Sequence, residues 1–298
     1  MINDHDPGQN NLGFSVTPAS ASMHGAARRL RVGFELAYEC PKPTPMIMML
    51  NIHPSRVSDI LVPDSLMTTP LVPITTYYDG FGNRCNRLVA PAGEIRISAD
   101  GVVMDRLTDE IAEWAPQHPV EELPAEILVY LMGSRYCETD RLSVAAWDLF
   151  DRAPTGWGRV QAICNFVHHH IKFGYEYANS TKSAWEAFQQ GQGVCRDYAH
   201  LAVTFCRCMN IPARYCTGYL SDIGEPPPYS AGDFAGWFEA FLGGRWYTFD
   251  PRNNKPRIGR VLMGQGRDAA DVPISNAFGF NTLKNFKVWT DEITEASR

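Results

Sequence analysis

Cys195 stands where a reactive thiol would be useful. It follows Gly191, Gln192, Gly193 and Val194 and opens the segment 194–209, in which Tyr198, Leu201, Ala202, Phe205 and Met209 form one apolar helical face. A thiolate in the first turn of a helix meets the positive end of the dipole and free N–H groups, which lower its pKa below the ordinary ~8.5. The same N–H groups stabilise the oxyanion formed when a carbonyl is attacked. The glycines at 191 and 193 would let a substrate backbone approach. The chemistry indicated is acyl transfer, although a cysteine is by default a small buried hydrophobe.

The other cysteines and the histidines fit that chemistry poorly. No C-x-x-C pair occurs, so a zinc ribbon or redox dithiol is disfavoured. Cys206 and Cys208 lie two apart on one helix and face different ways; Cys164 and Cys216 fall on a helix face and a strand. His200 is five residues beyond Cys195, a turn of about 500°, so it points away from the thiol and is expected to be packed. His168, His169 and His170 fan around a helix end and cannot all aim at one metal. His53, before Pro54, is expected on the surface of a β domain. No metal site is expected.

The elements that must position Cys195 follow from periodicity. Leu30, Val32, Phe34 and Leu36 alternate with Arg29, Arg31, Gly33 and Glu35, a half-buried strand. A short buried strand at 46–54, a hairpin about the turn 79–83 and a strand pair about Asp100-Gly101 complete an antiparallel, sandwich-like β unit over 28–105. Helical patterns follow from Pro124, at 142–150, at 157–171, and at 183–189 with Ser183 as cap and Glu186 three residues on. Asn210 and Pro212 stop the Cys195 helix, and strands are expected at 213–220, 234–241 and 245–250. The fold class is α+β. The domains expected are a flexible tail at 1–25, an N-terminal β domain at 26–120 and a core at 121–298.

Composition excludes several alternatives. With 27 basic and 33 acidic residues the net charge is −6, which leaves no footprint for nucleic acid. Apolar runs such as Met46–Leu50 are far short of the ~18 residues of a membrane span. The polar, acidic start MINDHDPGQNNLG does not read as a secretory signal. The expectation is a cytoplasmic protein with mostly free thiols and no membrane partner.

Several segments, in order, resemble the transglutaminase-like family, also described as cysteine proteases, with its bacterial N-terminal β region. They are TTYYDGFGN, GSRYCETDRL, GVCRDYAHLAVTFCRCMNIPARYCTGYL and GRWYTFDPRNN. The resemblance implies a papain-like core in which a helix bearing the cysteine packs on an antiparallel sheet. It also implies a Cys-His-Asp triad attacking amide bonds of peptides or proteins without a cofactor. The cysteine carries over to Cys195 and the aspartate to Asp250. The histidine belongs in a D-F-H-A-W motif, but this chain reads Asp233-Phe234-Ala235-Gly236-Trp237. The expected histidine is Ala235, 40 residues after Cys195 and 15 before Asp250. Such a site would be an impaired hydrolase or acyltransferase, or else a silent cleft that binds a peptide or protein. Asp233, on the same strand face as 235, is a weak substitute base that would also repel a thiolate. Asn253 and Asn254 are expected to shape a loop. The stripe Trp237, Phe241, Trp246 and Phe249 is expected to be core.

Overall fold

The computed structural model describes residues 27–105, 111–229 and 232–294. The tail expected at 1–25 lies outside the described residues.

Strand β1 (Arg28–Cys40) realises the alternation: Leu30, Val32, Phe34 and Leu36 are fully buried. After a Pro-containing break come β2 (Thr44–Met48), β3 (Ile60–Val62), β4 (Met67–Thr69), β5 (Thr75–Tyr78), β6 (Arg84–Ala90) and β7 (Gly93–Asp105). The strands β5 and β6 form the expected hairpin. The turn expected at Asp100-Gly101 does not exist. Strand β7 runs straight through it, paired with β1 from Arg28↔Asp105 to Cys40↔Gly93. Asp100 is held by Arg31 Nη2 at 2.8 Å and Trp289 Nε1 at 3.1 Å. A Cβ on Gly101 would lie 3.0 Å from the Val62 carbonyl oxygen, so the glycine serves close packing rather than a turn.

The segment after Pro124 is a 3-10 helix, Ala125–Leu131, rather than an α-helix. Its two buried residues, Ile127 and Tyr130, are three apart, the period of that helix. Helices α1 (Thr139–Phe150), α2 (Trp157–His170) and α3 (Ala184–Gln190) surround α4 (Cys195–Cys208). A two-residue parallel pair, β8 (Lys172–Phe173) and β9 (Gln192–Gly193), leads into α4. The whole of α4 from Asp197 onward is buried, not one face alone. Among its polar members, Arg207 donates to the carbonyls of Ala213, Met132 and Arg267.

The remaining strands are β10 (Ala213–Leu220), β11 (Ala235–Leu242), β12 (Arg245–Phe249) and β13 (Arg260–Gly266). They form an antiparallel sheet of order β12-β11-β10-β13 against α4. Gly243 and Gly244 make the tight β11–β12 turn with φ of 55° and 86°. The chain then returns to its start. Strands β14 (Ser275–Ala277) and β15 (Thr282–Glu292) pair with β2 and β1. Two strands past residue 121 thus complete the N-terminal sheets, of order β15-β1-β7-β3 (with β4 on β7) and β14-β2-β6-β5.

Candidate active site

The start of α4 is built by a chain of local devices. Ser183 and Glu186 form the expected reciprocal cap on α3, and Gly191 ends that helix at φ 61°. Asp197, in the first turn of α4, accepts the Val194 N–H at 2.9 Å. The buried Lys182 ammonium donates to the carbonyls of Tyr177 and Gln192, each at 3.0 Å, and lies 4.0 Å from Asp197. A Cβ on Gly193 would come within 2.5 Å of Asp197 Oδ2. Gly191 thus serves the helix cap and Gly193 the Asp197 carboxylate.

Cys195 is partly open to a cleft, but protein surrounds its sulfur closely. Burial pushes the thiol up to about 11, the Gly236 N–H donates to the sulfur and opposes this, Asp233 and Asp250 raise the thiol further, and Arg252 opposes them. The acidified thiol expected at a helix N-terminus is not what this site produces, because desolvation outweighs the donors.

Ala235 is the first residue of β11, opposite Gly218 in β10, and its carbonyl accepts from Thr217 Oγ1 at 3.0 Å. At the next residue, a Cβ on Gly236 would lie 2.8 Å from the Tyr215 hydroxyl and 3.4 Å from the Arg196 backbone. The strand thus runs tight against the first turn of α4. Cys195, Ala235 and Asp250 line one cleft of about 120 Å³, with Phe173, Tyr175 and Asp233 among its other walls.

Asp250 follows β12 directly. Its Oδ2 accepts from Arg260 Nη2 at 2.9 Å and Asn253 Nδ2 at 2.7 Å, and its Oδ1 accepts the Asn253 N–H at 3.1 Å. Burial alone raises this carboxyl, but Arg260 and Asn253 outweigh it and hold it below the usual range. Arg260 lies over the Trp237 ring, 4.6 Å from its centre. A guanidinium and an amide therefore occupy the carboxylate that an imidazole would use. Nothing in the sequence around Arg260 marks that role. It arises from the register that sets Arg260 against Leu220 across β13 and β10.

No described histidine lines the cleft. His200 is fully buried, accepts the Ala269 N–H at 3.1 Å and stacks on Tyr136, as expected of a packed residue. His168 Nδ1 lies at 3.1 and 3.0 Å from the Pro251 and Arg252 carbonyls and braces the Asp250 turn. His169 and His170 bond to different carbonyls, of Asn165 and Phe188. His53 is not on the surface: it is 5% exposed, caps the 3-10 helix Pro54–Asp59, and burial with the nearby Arg214 lowers it to about 4. Asp233 accepts its neighbour's Phe234 N–H at 2.7 Å and bonds to the Tyr175 hydroxyl; burial raises its carboxyl. Asn253 and Asn254 do shape the loop, Asn254 at φ 50° bonding to Gln161 and Asn165. Among the described residues no cluster of three or more His, Cys, Asp or Glu is placed to hold a metal, and no helix is long and apolar enough to cross a membrane.

A cysteine at a helix start, sharing a cleft with position 235 at the start of one strand and position 250 just past the antiparallel strand beside it, is the layout of a transglutaminase-like core. Residues 148–251 match the transglutaminase-like superfamily, so this segment carries a transglutaminase-like core. A solved candidate cysteine protease from Cytophaga hutchinsonii is 29% identical, covers 91% of this chain and 92% of its own, and superposes with a TM-score of 0.79. An uncharacterized protein of Mycobacterium leprae is 36% identical over 96 residues, 30% of this chain and 33% of that one. One of Mycobacterium tuberculosis is 32% identical over 114 residues, 34% and 36% of the two chains. The match thus spans about a third of the length of these mycobacterial relatives.

Proposed function

We propose that the cleft is the acyl-transfer site of a transglutaminase-like cysteine hydrolase or acyltransferase acting on amide bonds of peptides or proteins, with Cys195 as nucleophile and its in-chain base removed at Ala235. The observation that carries this is the convergence of Cys195, Ala235 and Asp250 on one cleft, with the Gly236 N–H on the sulfur. In this reading Cys195 Sγ attacks the carbonyl carbon, and the N-terminal N–H groups of α4 receive the oxyanion. Asp250 would orient an imidazole at 235, had the chain one. An alanine there accepts no thiol proton and returns none to the leaving amine, so amide turnover is slow by several powers of ten. The eight unpaired cysteines support a reducing, cytoplasmic setting.

A second reading, a peptide-binding cleft without turnover, is favoured by one observation: Asp250 is already committed to Arg260 and Asn253. The two readings separate on Ala235→His. The catalytic reading expects amidase or transamidase activity to rise roughly 10²-fold, as general acid–base catalysis supplies, and to vanish on adding Cys195→Ala. No gain in a folded variant favours the binding cleft.

A further inference from the structure

We propose that the cleft draws its acyl group from thioesters in preference to amides. The inference rests on Cys195 being the nucleophile and names the donor that this particular set of side chains supports.

The leaving group decides which donor can be used. When sulfur adds to an amide carbonyl, the intermediate expels whichever group leaves more readily. An amide nitrogen leaves only after it is protonated, so without a proton donor the intermediate returns the Cys195 sulfur and nothing is gained. A thioester expels a thiolate, which leaves unaided and faster the lower its thiol pKa. The groups facing the sulfur are Asp233, Asp250, Arg252, Tyr175 and Tyr215, and none is arranged as a proton donor. Asp250 accepts from Arg260 and Asn253 as a carboxylate. Asp233 accepts the Phe234 N–H and shares its remaining bond with the Tyr175 hydroxyl. Tyr215 is 5% exposed and bonded to Thr217. Arg252 keeps its proton at any ordinary pH.

The step is balanced without outside help. A bond forms between Cys195 Sγ and the acyl carbon, and the carbon–sulfur bond to the leaving thiol breaks. The proton of the Cys195 thiol passes through solvent to that thiol, and nothing is oxidised or reduced. The apolar side chains Phe173, Leu220 and Phe234 on the cleft wall suit an acyl group with an aromatic or aliphatic body.

The test uses the full chain and two probes with the same acyl group: the phenylacetyl thioester of N-acetylcysteamine and phenylacetyl N-methylamide. Acylation is followed by intact-protein mass spectrometry with peptide mapping. The expected result is an adduct on Cys195 from the thioester, with a rate that saturates with probe concentration, at least about tenfold faster than from the amide, and absent in Cys195→Ala. Acylation by the amide within tenfold of the thioester overturns the donor preference while leaving Cys195 as nucleophile. Failure of both probes, or an adduct rate that stays linear and spreads over other cysteines, overturns the nucleophile reading and this inference with it.

Discussion

Asp250 and Arg260 form the tightest charge pair in the cleft, with side chains 4% and 8% exposed. Removing one partner of a buried pair strands the other, at a cost of about 3–5 kcal/mol. We therefore expect Arg260→Met to lower the urea midpoint strongly at pH 7. The effect has a defined pH dependence. Asp250 is held below its ordinary range in the folded chain. Its stabilisation is fully present above the unfolded value near ~3.9 and is lost as pH falls through the lower folded value. Without Arg260, burial raises the stranded carboxyl, so the gap between Arg260→Met and the unmodified chain should be widest at neutral pH and narrow in acid as Asp250 of the variant protonates, before the unmodified pair titrates. A gap that does not narrow in acid would mean the pair is not what holds the carboxylate. Cys195 was legible as the start of a helix, and the missing histidine only through the family resemblance, whose motif falls on Asp233-Phe234-Ala235-Gly236-Trp237. Arg260 was not legible, because its place beside Asp250 depends on a cross-strand register between segments 40 residues apart.

At the scale of elements, α4 begins where it does because Asp197 takes the Val194 N–H and Gly193 leaves room for that carboxylate. Gly193→Ala places a Cβ 2.5 Å from Asp197 Oδ2, so the first turn must shift. We expect a loss of about 1–3 kcal/mol in stability, read by denaturant unfolding, together with altered reactivity of Cys195. Unchanged values in both would show that the carboxylate has space to move. Helix caps and tight turns were readable in advance because Ser183, Asn210 and the pair Gly243-Gly244 act within their own segment, Ser183 through its side chain and the others through their backbone angles. Asp100-Gly101 misled for the opposite reason. The same dipeptide makes a turn in isolation, but here Arg31 and Trp289 hold the aspartate from neighbouring strands, and Gly101 admits the 62–64 segment.

At the scale of the molecule, the two ends of the chain hold each other. Strand β15 covers β1 from Leu30↔Glu292 to Glu39↔Thr282, and the Trp289 ring fills the space over Gly33. Tyr219, Phe234, Val261 and Met263, from the segments that frame the cleft, pack into the same core as β1 and β2. The walls of the cleft are therefore braced by the sandwich. A chain ending at residue 281 should lose the cooperative unfolding of its β sandwich and become sensitive to limited proteolysis in 28–105. Retained protease resistance would show that β15 is dispensable. The return of the C-terminus was not visible beforehand, since alternation identifies a strand but not its partner.

Cys195 is a nucleophile with no base beside it, a claim that the dependence of its alkylation rate on pH can decide. Burial holds the thiol at about 11. Modification by iodoacetamide, mapped to Cys195 in the native chain, should therefore be slow at pH 6 and climb roughly tenfold per pH unit toward that value. Ala235→His should move the rise to lower pH. A native chain whose Cys195 reacts at full rate at pH 6, ahead of the seven other cysteines, would contradict the claim and show that another group in the cleft holds the proton.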